Sequence, residues 1–204
     1  MSKMIGKTAQ IIFTRVFVMM ILNFYFFVFS VMGLLILGVG PALQTVNELF
    51  LDHHWHWQGY RFKQGWHYYR QYFVKANCHF WLFAGMLGAL LYNLYLSTQI
   101  NQPWILMIQF VLLMGIMMTV AISLLFMAIQ ARYAINLKHG IVLAFAQFFD
   151  HPLQILRFIF GIVTMVIVCM LWPGLGLFLS VGAVIVWTNW SFQKWYQRVD
   201  AMFS

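Results

Sequence analysis

The stretch His53-His54-Trp55-His56-Trp57 gathers the side chains of this sequence best suited to chemistry. Three imidazoles, with Glu48 and Asp52 just upstream, are metal-ligating types. Their spacing opposes a shared ion. His53 and His56 meet on one face only if a helix continues through them, and adjacent His53 and His54 point apart in any regular element. Histidine and tryptophan instead suit a loop between lipid headgroups and water. No metal site is expected; His53, His54 and His56 are the residues of a metal-handling alternative. Asp150 and His151 stand before Pro152 and read as a helix start rather than an acid–base pair. Cys78 and Cys169 lack CxxC spacing and indicate neither a zinc site nor a disulfide framework. No Walker loop, GxSxG elbow or HExxH helix occurs. No catalytic residue and no cofactor is expected, and the chain reads as non-enzymatic.

The elements around these residues are set by composition. Of 204 residues, 63% are hydrophobic and 8% charged, against about 25% charged in soluble domains. The apolar runs are continuous, so they suit helices rather than the alternating strands of a barrel. The reading is an all-α polytopic membrane protein, a single integral domain over 1–204, with five spans plus short amphipathic interfacial helices. A bilayer core about 30 Å thick needs roughly 20 apolar residues. Segments of that kind lie at about 16–37, 78–96, 104–130, 153–171 and 175–191. The spans read as free of acids and histidines, which argues against an autonomous ion-coupled transporter. Nucleic acid is excluded as a partner because no soluble domain exists to hold it.

Gly40-Pro41 marks a joint after the first span. A helix break within Gly38–Pro41 and a new helix from Pro41 are expected, since proline suits a first helical turn. Pro41–Asp52 is too short to span and should lie at the surface or beneath other helices. Arg61–Ala76 carries an aromatic stripe of Phe62, Trp66, Tyr69 and Phe73 beside Lys63, His67 and Arg70. Arg61, Lys63, Trp66, Arg70 and Lys75 form the candidate docking or lipid-contact surface. Ile141–Phe149 reads as a second interfacial helix. The polar residues within spans are few. Asn23 reads first as an interhelical bond. Together Asn23, Asn93, Gln109, Ser123 and Thr164 are the lining of an alternative, a small permease or channel with an uncharged path.

The twelve lysines and arginines fall in zones: three in the N-terminal segment, four between the first two spans, three around the loop before the fourth and two at the C-terminus. Five full crossings divide them nine to three, with the N-terminus outside and the C-terminus in the cytoplasm. A hairpin within Val16–Leu43 would gather all twelve on one side, but arms of about 14 residues are too short to cross.

The joined pattern resembles the YesL family, small bacterial integral membrane proteins classed as a domain of unknown function. It runs from an aromatic first span with Asn23 to Gly40-Pro41-Ala42, a short amphipathic helix, and Tyr72-Phe73-Val74-Lys75-Ala76-Asn77. The resemblance covers roughly residues 10–190, is strongest over 16–96 and is weak after 130. The family's Gly-Pro-Ala is usually followed by Thr-Ala; here Leu43-Gln44 stand instead. The resemblance implies a bacterial cytoplasmic membrane and an accessory or scaffold role beside a carbohydrate importer. It carries no catalytic or ligand residues over.

Overall fold

A computed structural model describes residues 2–133, 137–150 and 152–203. Seven α-helices are defined there: α1 Ser2–Met32, α2 Val39–His53, α3 Phe62–Ser97, α4 Ile105–Arg132, α5 Leu137–Asp150, α6 Pro152–Leu171 and α7 Pro173–Phe203. A single 3-10 turn, Trp57–Gly59, precedes α3. The described residues contain no strand. Five helices are long and apolar enough to cross a membrane: Gly6–Met32, Phe62–Ser97, Ile105–Arg132, Pro152–Leu171 and Pro173–Asp200. The chain is a multi-pass helical membrane protein.

Contacts between neighbours set the direction of each helix. α1 and α2 form a hairpin. Gly38 packs on Ser30, Ala42 clusters with Phe29, and Val46, Leu49 and Phe50 cluster with Val18 and Leu22. The chain returns far enough for the Arg15 guanidinium to lie 5.1 Å from the Trp55 ring. α2 is antiparallel to α3, with Gly40 against Ala76 and Phe80 and His53 bonded to Gln64. α3 is antiparallel to α4: His79 meets Gln130 and Gln109 donates to the Ser97 carbonyl. α6 is antiparallel to α7, Gln154 meeting Ser191 and Cys169 meeting Gly176. α1 is also antiparallel to α7, pairing Asn23 with Leu177 and Val181 and Met19 with Gly182. Arg132 and Asp200 join the ends of α4 and α7 in an ion pair.

So α1, α3 and α6 run one way, and α2, α4 and α7 the other. Both termini lie at one end of the bundle. Every lysine and arginine falls in the half of its helix, or in a connection, nearer that end. The connections away from that end, residues 98–104 and 172, carry no charge, nor does the α1–α2 turn, residues 33–38, which lies beside the middle of α3 near Tyr69, Ala76 and Phe80. This corrects the expected alternation of five crossings with the termini on opposite sides. A hairpin confined to Val16–Leu43 would have only 28 residues for its two arms. The chain uses α1 in full and all of α2, and α2 is covered by protein rather than lipid, which removes the cost of irregular backbone at depth.

The joint also moves. α1 ends at Met32, and the break covers residues 33–38 rather than 38–41. Leu34 and Leu35 take the left-handed conformation there, at φ 57° and 61°. Gly38 has no room for a side chain, because a β-carbon would fall on the Ser30 carbonyl. α1 also begins well before residue 16, where the first apolar segment starts. The core fills the half of the bundle nearer the termini, with Leu125, Phe126, Phe158 and Phe192 fully enclosed. The far halves of α3, α4 and α6 leave apolar side chains such as Met107, Phe160 and Met170 exposed. That surface suits lipid.

Candidate functional site

α2 is the helix most enclosed by others, packed by α1, α3, α4 and α7. Its sequence reads as amphipathic, but both faces are covered: Gln44, Thr45, Asn47 and Glu48 are buried with Val46, Leu49 and Phe50. The polar side is satisfied by α3, α4 and α7. Asn47 donates to the Met127 carbonyl at 3.2 Å and accepts from Asn189 at 2.9 Å. Gln44 donates to Glu48 at 3.1 Å, and Tyr72 also donates to Glu48. One turn on, Tyr68 and Gln64 donate to Asp52, and the Gln64 oxygen contacts His53 at 2.8 Å. The result is a ladder of two carboxylates on α2 against two tyrosines on α3, running from exposed Asp52 to buried Glu48.

Glu48 lies outside the five spans, and burial raises its carboxyl from 4.5 to about 7. The bonds from Gln44 and Tyr72 oppose that rise, and the Asp52 charge adds to it. α1 and α7 face this region with uncharged residues, Val18, Leu22 and Ile185, and α4 with the Met127 carbonyl. The carboxyl therefore exchanges its proton near neutrality.

The histidine segment does not gather into a ligand set. His53 is bonded to Gln64, His54 turns away at φ 45°, and Tyr60 donates to the His54 carbonyl at 2.6 Å. Among the described residues, no three His, Cys, Asp or Glu side chains stand together as an ion site would require. Both cysteines are free thiols. Asp150 ends α5 and Pro152 begins α6, while His151 lies outside the described residues.

The residues of the polar-path alternative do not converge. Asn93 donates to Ala89, Ser123 to Val120 and Thr164 to Phe160, each within its own helix. Gln109 bonds the end of α3. Asn23, fully buried, bridges the Leu177 carbonyl and the Val181 N–H. Those two groups sit four residues apart on α7, the spacing of one helical carbonyl and N–H pair. The Asn23 amide is thus a clamp between α1 and α7. The reading of the spans as free of histidine also fails: His79 lies inside α3, buried, with Nδ1 2.8 Å from Gln130.

The basic residues of the candidate surface lie on the first half of α3. Arg61, Lys63, His67, Arg70 and Lys75 are exposed, while Gly65, Tyr69 and Ala76 on the opposite face are buried. Trp66 departs from the expectation. It is half-buried and stacks on Tyr69 with centroids 5.7 Å apart, so it belongs to the inner face.

Comparison with known proteins bears on this region. Residues 19–94 match the family model described as "Protein of unknown function, DUF624", the domain of the YesL family. No curated protein and no solved structure matches the chain. The DUF624 match takes in α1 from residue 19 onward, the whole of α2 and nearly all of α3. It therefore contains the hairpin, the carboxylate–tyrosine ladder and the basic face, and it stops before α4. The resemblance to the YesL family, strongest over 16–96 in the sequence, falls on the same stretch.

Proposed function

We propose that this protein is a non-enzymatic accessory or scaffold of a bacterial cytoplasmic membrane that docks a larger transport complex through α3. The observation that carries the reading is the basic face of the first half of α3. It presents Arg61, Lys63, His67 and Arg70 outward on a helix whose other face is locked against α1 and α2. A rigid, charged, uncleft surface suits recognition of an acidic partner rather than turnover of a small substrate. The family resemblance points to a carbohydrate importer as that partner. A permease is the less supported reading, because the polar side chains that would line its path bond helix backbone instead.

The test is co-purification from native membranes in mild detergent. Wild type should bring down subunits of a sugar importer, and R61E/K63E/R70E should lose them while still folding, judged by its melting curve. Equal recovery with both proteins, or recovery of no importer subunit with either, would count against the reading.

A further inference from the structure

A groove of about 790 Å³ runs along the outer side of α1, and nothing in the docking reading uses it. Its walls include Phe17, Met20, Phe24 and Phe27 from α1, Trp57 from the turn before α3, and Phe178 from α7. Phe17 and Trp57 meet edge to face at 5.8 Å at its mouth. Just before Phe17, a second cavity of about 380 Å³ is lined by Gln10, Thr14, Arg15 and Trp55. The two follow each other along one helix.

Three features fix what fits. From Phe17 to Phe27 the helix rises about 15 Å, the depth of one leaflet of a hydrocarbon core about 30 Å thick. The direction is right for a lipid: the groove starts near the charged end of the bundle and runs toward the uncharged end. Its floor is apolar and aromatic, and its mouth carries a cation. Arg15 is exposed, held over the Trp55 ring, with Thr14 and Gln10 beside it as hydrogen-bonding groups. Trp55 and Trp57 place that mouth in the aromatic belt where headgroups lie.

We propose that this groove binds an anionic phospholipid, with one acyl chain along Phe17–Phe27 and the phosphate against Arg15, Thr14 and Gln10. An acyl chain alone would be satisfied by any lipid. The guanidinium at the mouth supplies the choice of headgroup, and one cation near a membrane surface is worth about a fivefold preference. The site is separate from the basic face of α3 and stands whether or not a protein partner docks there.

Trp57 lines the groove and serves as the reporter. The protein is placed in phosphatidylcholine nanodiscs containing a few mole per cent of brominated lipid, either phosphatidylglycerol or phosphatidylcholine. The quenching due to Trp57 is isolated by subtracting the W57F signal. Brominated phosphatidylglycerol should quench Trp57 about fivefold more effectively than brominated phosphatidylcholine. R15Q should lose that preference, and K7Q, which removes an exposed cation outside both cavities, should keep it. Equal quenching by the two lipids, a preference unchanged in R15Q, or no quenching assignable to Trp57 would overturn the proposal.

Discussion

Glu48 shows how a single side chain responds to being enclosed. Only 9% of it is exposed, and desolvation outweighs two hydrogen bonds and raises its carboxyl to about 7. The folded state therefore holds the proton more tightly than the unfolded chain, whose carboxyl titrates near 4.5. Folding binds extra proton between those values, so stability falls as pH rises from about 4.5 to about 7 and levels off above. The full difference is on the order of 3 kcal/mol. E48Q imitates the protonated form. It should unfold like wild type near pH 4 and withstand more heat or denaturant than wild type at pH 8. Melting curves in one detergent at both pH values check this, and an E48Q protein that is weaker than wild type at pH 8 would contradict it. Asn23 makes the opposite case, a neutral polar group with both ends satisfied. Replacing it with leucine should cost about 1 kcal/mol, the usual worth of an interhelical bond in a membrane protein. The same melting assay reads it.

At the scale of elements, the hairpin turn holds the least favourable backbone. Leu34 and Leu35 sit at φ 57° and 61° with their side chains exposed. A left-handed non-glycine residue costs about 1–2 kcal/mol. L34G and L35G should each raise the melting temperature, whereas G38V should lower it sharply because its side chain would meet the Ser30 backbone. A lower melting point for both leucine variants would show that the turn is not strained. The turn also shows where reading the sequence falls short. The long helices were legible because each contains a continuous apolar run of about spanning length. The break was placed too late because Gly38, Gly40 and Pro41 look like breakers. Instead, Gly40 makes room for Ala76 and Phe80, and Pro41 sits in the first turn of α2, where an N–H has no helical partner. Nothing about Leu34 or Leu35 announces a turn. The burial of Gln44, Asn47 and Glu48 was equally hidden. A polar helix face ordinarily meets water, and here its partners, Tyr72, Met127 and Asn189, come from three other helices distant in sequence. The basic face of α3 was legible because its charges and its aromatic stripe separate cleanly at helical spacing. Trp66 misled because an aromatic beside charges fits either face until its ring partner is known.

At the scale of the whole molecule, the decisive fact is parity. α3 cancels α4 and α6 cancels α7, so α1 would leave the chain on the wrong side unless α2 undoes it. α2 is 15 residues long, about 22 Å. That is short of a bilayer core yet enough to bring Trp55 back to Arg15. With that return, the division of lysine and arginine changes from nine against three to all 12 against none. Cationic segments resist translocation and are held in the cytoplasm, so this arrangement satisfies the charge rule at every connection, whereas five alternating crossings violate it at the N-terminus. The energetic obstacle to a hairpin, uncovered backbone at membrane depth, is met because α3, α4 and α7 close over α2. The experiment is cysteine labelling in intact cells and in inverted vesicles, on a C78S/C169S background. Single cysteines at residues 3 and 200 should react only from the cytoplasmic face. Cysteines at residues 35, 100 and 172 should not react from that face. Residues 3 and 200 labelling from opposite faces would restore five alternating crossings and remove the hairpin.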